Sequence, residues 1–216
     1  MTTSDEPVRI TFAGPLEVQP LAAESNELRH NDAFLRLISS NAGGVVAKDE
    51  TSGAEATGTL IEYGVTRRDL AIGSSTKNGV SLAVPKAGTL VGQRVELSLM
   101  SGRAHVEGEG KLSQSDPLLA PSKESVRTLS WAKSADFAFA MENGEMKQRL
   151  SNALLVGDVG ATDGNASFGA QQLQAEFAPS GPDSSRLSRL FLVGKAHGGD
   201  TAGSSFGADS IDVKFV

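Results

Sequence analysis

Residues 149–159 read RLSNALLVGDV, and residues 186–196 repeat this word as RLSRLFLVGKA, 37 positions further on. A second word behaves in the same way: residues 167–177 read SFGAQQLQAEF, and residues 205–215 read SFGADSIDVKF. Two independent words that recur at nearly one period indicate a chain built from repeats. Apolar residues alternate with polar ones in the second word, which is the pattern of a β-strand with one buried face.

The second word recurs more loosely upstream, as a small residue, a polar step and three apolar residues at positions i, i+2 and i+4. Between its copies lies a second strand type, at 69–72, 103–106, 154–156 and 190–193, which runs into glycine or other small residues. The sequence therefore predicts an all-β repeat protein whose alternating apolar residues line one elongated interior. The predicted lining residues are Ile61, Tyr63, Val65, Val95, Leu97, Leu99, Phe137, Phe139, Met141, Leu173, Phe177, Ile211, Val213 and Phe215.

Turn residues divide the chain into these strands. Asn143-Gly144 is the strongest hairpin signal, because both residues tolerate the positive φ of a type I′ turn. A short helix within 142–155 is the alternative there, but prolines interrupt the equivalent repeat near 179–182 and favour a strand. A short helix or an irregular segment is possible at 21–28.

We expect a single domain over residues 8–216. Residues 1–7 are polar and acidic, which predicts a disordered lead without a signal peptide. Residues 8–50 fit a first repeat with a modified beginning, because terminal repeats depart from the pattern. A proline- and serine-rich stretch predicts a loop insertion at about 113–126.

Composition narrows the classes of function. The chain has 216 residues, 24 of them glycine, with no cysteine and a net charge of −6. Its lysines and arginines are scattered, which argues against nucleic-acid binding, since that requires a basic stripe. The missing cysteines exclude disulfides and thiolate metal sites.

Residues that could carry chemistry are few. His30, His105 and His197 form no zinc-binding spacing, so we expect no metal site. Residues 157–165 resemble a calcium-binding β-roll turn but lack the tandem array that such rolls need. Glu107 and Glu109 are two positions apart, which predicts that they lie on one face of a strand, and paired carboxylates can serve glycoside hydrolysis. Glycines flank them, however, and no acidic partner recurs elsewhere. We therefore expect a protein that is not an enzyme and has no cofactor.

The repeated words resemble the OstA-like family, the bridge proteins of lipopolysaccharide transport. The resemblance lies in Val91-Gly92 followed by alternating apolar residues, then a turn and the word GRAHVEG at 102–108. It extends over most of 54–216 and implies an antiparallel β-jelly-roll, or β-taco, whose two facing sheets leave an apolar groove. The insertion at 113–126 and the missing export signal depart from the family.

What the resemblance implies is a periplasmic module of the bacterial envelope that shields or relays lipopolysaccharide acyl chains. The strand at 211–216 is also a candidate edge for pairing with other β-jelly-roll modules. The sequence leaves two alternatives: a structural β-repeat scaffold of a large envelope protein with a closed core and no ligand, and a carbohydrate-active β-solenoid that uses Glu107 or Glu109.

Overall fold

The computed structural model describes ten stretches of the chain. They are residues 8–12, 16–20, 34–39, 44–50, 53–64, 68–74, 79–85, 88–115, 126–181 and 185–214. The predicted lead at 1–7, the segment at 21–28 and His30 lie outside these described residues.

Within the described stretches the regular structure is entirely β, which confirms the predicted fold class. Their residues therefore include no helix long and apolar enough to cross a membrane. The strands are β1 Val8–Phe12, β2 Leu16–Pro20, β3 Phe34–Ser39, β4 Val45–Asp49, β5 Glu55–Gly58, β6 Leu60–Gly64, β7 Asp69–Gly73, β8 Val80–Val84, β9 Gly88–Gly92, β10 Arg94–Ser98, β11 Arg103–Glu107, β12 Gly110–Ser115, β13 Val126–Trp131, β14 Ser134–Glu142, β15 Glu145–Asp163, β16 Ala166–Pro179, β17 Ser185–Asp200 and β18 Ser205–Lys214.

All strand pairings are antiparallel, and they form two facing walls. Wall A has the order β1-β4-β5-β8-β9-β12-β13, and wall B has the order β2-β3-β6-β7-β10-β11-β14. The long strands β15 to β18 extend both walls, because one half of each lies in wall A and the other half in wall B. The result is a nearly closed β-jelly-roll.

The chain passes from one wall to the other at a line of bends. β15 bends at Gly157 and Asp158, whose φ angles are 85° and 41°, and β17 bends at Gly194 and Lys195, with 78° and 52°. The strand register shifts at both places. Both bends lie at the same place in the two copies of the first repeated word, where the letters LVG end. The sequence repeat therefore corresponds to a repeated bend of the chain.

The predicted hairpin at Asn143-Gly144 is confirmed, because both residues have positive φ, 53° and 80°, between paired strands β14 and β15. The short helix considered for 142–155 is wrong, since this stretch is strand apart from the turn itself. Residues 113–115 lie in β12 and Val126 begins β13, so these two ends of the predicted loop belong to strands. The rest of the predicted loop, 116–125, lies outside the described residues.

The interior is built from cross-strand rows of apolar residues. One row crosses wall B from β6 to β18, and a matching row crosses wall A from β4 to β18; buried members of both belong to one hydrophobic cluster. The wall B row is Ile61, Ile72, Val95, Val106, Ala135, Leu155, Leu173, Leu192 and Ile211. The wall A row is Ala47, Ala56, Leu82, Leu90, Leu112, Leu129, Ala161, Phe168, Gly198 and Phe206.

Candidate functional site

Burial falls steadily along wall B from the bends toward the hairpin turns. On β14, Ala135 is fully buried and Phe137 is 4% exposed, whereas Phe139 is half-buried and Met141 is 36% exposed. These residues share the inner face, because side chains two positions apart point to one side of a strand. The space between the walls is therefore packed at the bends and opens toward the hairpins.

Wall A shows the same gradient. On β13, Trp131 beside the bend is 1% exposed, and Leu129 two positions further out is half-buried. On β12, Gly110 is buried and Leu112 is half-buried. We call the half-buried inner residues of both walls the rim rows. They form a partly exposed apolar strip along the hairpin side of the molecule, and we refer to this strip as the groove.

The predicted lining residues fall into two depths of this groove. Ile61, Val95, Phe137 and Leu173 are buried near the bends. The half-buried set consists of Tyr63, Leu97, Phe139, Phe177, Ile211 and Val213, of which all but Tyr63 pack against the hydrophobic cluster.

Four predicted lining residues have a different outcome. Leu99 lies in the turn after β10, where its backbone N–H donates to the carbonyl of Arg68, so the predicted strand is one residue too long. Met141 is on β14 but 36% exposed, and it pairs with Met146 beside the hairpin turn. Val65 and Phe215 lie outside the described residues.

The groove ends at β18 with its inner face uncovered. Phe206 is 45% exposed and packs against Phe168, with ring centroids 6.1 Å apart. Ile211 and Val213 are half-buried, although Leu190 and Leu192 opposite them on β17 are buried. Among the described strands β18 pairs only with β17, and no described residue pairs with its other edge.

A bidentate ion pair holds β18 to β17 on the outer face of wall B. Arg189 Nε and Nη2 donate to Asp212 Oδ1 and Oδ2 at 2.9 and 2.8 Å. Arg189 Nη1 also lies 3.6 Å from Glu176 Oε1 on β16. The hydrogen bond from Arg189 is the main cause that lowers the pKa of Asp212.

The sequence reasoning missed Trp131, the one tryptophan of the chain. Its ring packs edge-on against Phe137 of the facing wall, with centroids 5.8 Å apart. Gly110 makes room for it, since a Cβ there would lie 2.5 Å from Trp131 Cζ2. Leu129 and Trp131 are apolar residues two positions apart, with a polar residue between them. This spacing is typical of one strand face and could have identified both as inward-facing.

Polar side chains cover the outer face of wall B around a shallow, open depression of about 1050 Å³. His105 Nδ1 lies 2.7 Å from Asp136 Oδ1, and Arg94 Nε donates to Glu96 Oε1 at 2.9 Å. None of the described residues form a group of three or more side chains able to hold a metal ion.

The other residues considered for chemistry stay apart. His197 is exposed and stands over Gly169, where a Cβ would lie 2.5 Å from its ring. Glu107 ends β11, and Glu109 follows a bend at Gly108 with φ 79°. The expectation that these two carboxylates share one strand face is therefore wrong.

Comparisons with known proteins give no match: no family model, curated protein or solved structure resembles this chain closely enough to be identified.

Proposed function

We propose that this protein is a non-enzymatic, lipid-binding module of the bacterial cell envelope, whose groove shields acyl chains of lipopolysaccharide or another acylated lipid. The observation that carries the proposal is the burial gradient: the same inner strand faces are packed at the bends and half-exposed at the rim rows. A groove of this kind presents a continuous apolar strip that an acyl chain can cover.

Energetics favour an alkyl ligand. Each CH₂ group removed from water contributes about 0.8 kcal/mol. About ten such groups in one chain then gain roughly 8 kcal/mol before the entropic cost of association. The inner rim is apolar on both walls, for example Leu97 and Phe139 on one and Leu112 and Leu129 on the other. Affinity therefore requires no polar recognition along the chain.

The resemblance of the repeated words to the OstA-like bridge proteins supports the same ligand class and a periplasmic location. The net charge of −6 is compatible with this role, because the acyl chain and not a headgroup phosphate would dominate the contact.

Site-specific photo-crosslinking tests the proposal. A benzophenone amino acid placed at Leu97 or Phe139 is expected to form adducts with purified lipopolysaccharide, because both side chains lie in the rim rows. Matched controls are Glu96 and Ala138, the sequence neighbours that point to the outer face. Equal labelling at inner and outer positions, or labelling at neither, would reject acyl binding in the groove.

We propose, second, that β18 pairs with another β-jelly-roll module. No described strand pairs with the second edge of β18, Ser205–Lys214, and residues 205–210 are exposed throughout. An edge strand of this length is a template for β-augmentation. Sedimentation velocity should show concentration-dependent association, and a peptide copy of residues 205–214 should inhibit it where a scrambled peptide does not. A monomer at every concentration, alone or with candidate modules, would contradict it.

A closed structural scaffold is the competing function, and the packed rows near the bends favour it. Ile72, Val95 and Leu192 are completely buried by the protein itself. The crosslinking experiment separates the two functions, because a scaffold protects its interior from added lipid and gives no inner-face adducts.

A further inference from the structure

β18 occupies the same place in its repeat that β16 occupies in the preceding one. Both strands are built on the second repeated word, and each pairs along its first edge with a strand that carries the first repeated word, β15 or β17. The pairing agrees residue by residue, since Leu173 and Ile211 hold the same position in the word and each faces a buried leucine of the preceding strand. The second edge of β16 therefore shows what the second edge of β18 can accept.

The two strands differ in what covers them. β17 covers the second edge of β16, whereas no described strand pairs with the second edge of β18. On the inner face of β16, Leu173 and Ala175 are 1% and 2% exposed. Their equivalents on β18, Ile211 and Val213, are half-buried, and Phe206 is 45% exposed. A stack of repeats usually ends in a unit with a polar outer face, so β18 has the pattern of an internal repeat interface and not that of a cap.

The strand that covers β16 shows which side chains fit such an edge. On β17, Leu190 and Leu192 lie opposite the two buried inner-face residues of β16, and they are themselves 3% and 0% exposed. Backbone hydrogen bonds along an edge strand give affinity for an added strand, and alternate side chains give specificity. A strand with the same apolar alternation, laid along β18, would cover Ile211 and Val213 in the same way.

One charged position changes sign between the two repeats. On the outer face of wall B, Glu176 of β16 lies opposite Arg189 of β17, with Oε1 and Nη1 3.6 Å apart. The equivalent of Glu176 on β18 is Lys214, which is exposed. Like charges directly opposite each other on neighbouring strands are destabilising, and opposite charges are stabilising. A strand that covers β18 should therefore carry a carboxylate at the position that Arg189 occupies in β17.

We infer that the second edge of β18 is a docking site for a strand of the first-word type from another β-jelly-roll module. The docked strand runs antiparallel to β18, places two large apolar side chains over Ile211 and Val213, and places a carboxylate opposite Lys214. Neither first word of this chain has that carboxylate, since β15 has Asn152 and β17 has Arg189 there. The inference rests on the proposed function, in which β18 pairs with another module, and adds the sequence pattern and register of the partner strand.

Binding of peptides to the intact chain tests the inference. The reference peptide copies residues 185–200 with Arg189→Glu, and a matched peptide keeps the arginine. Fluorescence anisotropy should show that the glutamate peptide binds about three- to tenfold more tightly, because a like-charge contact with Lys214 becomes an opposite-charge one. A third peptide, the reference with Leu190→Ser and Leu192→Ser, should lose at least about tenfold in affinity, since it cannot cover the apolar positions of β18.

A charge reversal on the protein supplies the second measurement. Lys214→Glu should reverse the order, so that the arginine peptide binds more tightly than the glutamate peptide. Lys111→Glu makes the same change of net charge at an exposed lysine of β12 and should leave the order unchanged. Amide hydrogen exchange locates the contact, because the bound reference peptide should slow exchange in Ser205–Lys214.

The outcomes separate the inference from the pairing beneath it. Equal affinities of the three peptides, an order that Lys214→Glu does not reverse, or slowed exchange only outside β18 would overturn the inference. Absence of peptide binding would overturn it too, and concentration-dependent association in sedimentation velocity would then leave the pairing of β18 standing. Absence of both peptide binding and association would overturn both proposals. If Lys214→Glu fails to fold, the order of the three peptides on the wild type still decides.

Discussion

Close contacts at single residues determine how tightly the walls can pack. Gly110 lies beneath the Trp131 ring, and a Cβ at this position would be 2.5 Å from Cζ2 and 2.7 Å from the carbonyl oxygen of Val91. One of these atoms belongs to a rigid ring in the core and the other to the backbone, so neither can move aside at low cost. Glycine is required here by space.

Gly110→Ala should therefore lower the free energy of unfolding by about 1–3 kcal/mol, the usual cost of overpacking. Gly73→Ala is the matched control, since its Cβ would meet Leu60 at an ordinary 3.8 Å. The control should range from neutral to stabilising by about 1 kcal/mol, because alanine restricts the unfolded chain. Urea denaturation followed by circular dichroism measures both. Equal stabilities for the two variants would contradict the packing described around Trp131.

At the scale of elements, the bends of β15 and β17 need a left-handed residue. Gly157 has φ 85° and Gly194 has φ 78°, and a residue with a Cβ costs about 1–2 kcal/mol in this region. We expect Gly157→Ala and Gly194→Ala each to lower the free energy of unfolding by about that amount, measured in urea.

Asp158→Gly provides the control for the bends. Asp158 already has φ 41°, so glycine relieves the local cost in the folded state while it loosens the unfolded chain. These effects oppose each other, and we expect a change within about 0.5 kcal/mol. A harmless Gly157→Ala, or a disruptive Asp158→Gly, would show that the corner does not depend on left-handed backbone.

The ion pair between β17 and β18 predicts a pH dependence of the edge strand. Arg189 lowers the pKa of Asp212 below its usual range, so the carboxylate stabilises the docked strand above its unfolded pKa, about 3.9. That stabilisation is lost as the pH falls through the lower, folded pKa. Both groups are solvent-exposed, so the effect is local and small.

Amide hydrogen exchange checks this dependence. Protection factors in β18 should decrease on acidification in the wild type, and Arg189→Gln should start from lower protection at neutral pH with a weaker pH dependence. Arg186→Gln, on the same strand but exposed, should behave as the wild type. A wild-type strand whose protection is independent of pH between neutral and strongly acidic conditions would refute the role of the pair.

At the scale of the whole molecule, the sequence predicted one wall much better than the other. Both strand types found by their words lie in wall B, where large apolar residues such as Ile61, Val95 and Phe137 alternate with polar ones. Wall A carries many small inner residues instead, such as Ala56, Ala161 and Gly198. Small inner residues differ little in hydrophobicity from the polar residues between them, so the sequence of wall A shows no clear alternation. Only the pairing of the strands identified this wall.

The groove itself could be predicted only in part. The alternating pattern identified inward-facing residues such as Leu97 and Phe139. The pattern could not distinguish fully buried residues near the bends from half-buried residues in the rim rows. Burial depends on how far a residue lies from the bend that joins the two walls, and the pattern within one strand does not contain this distance. Trp131 was missed for a related reason. The pattern within one strand does not show that its indole is buried between the two walls, with no hydrogen-bond acceptor for Nε1 among the described residues.

Quenching of Trp131 fluorescence by a fatty acid brominated at mid-chain tests the central claim most directly, because bromine quenches only an indole that it approaches closely. If an acyl chain enters the interior between the two walls, quenching should saturate with the brominated acid and be reversed by the same acid without bromine. If the interior is a closed core, the emission of Trp131 will not change at any concentration below the micelle threshold of the acid.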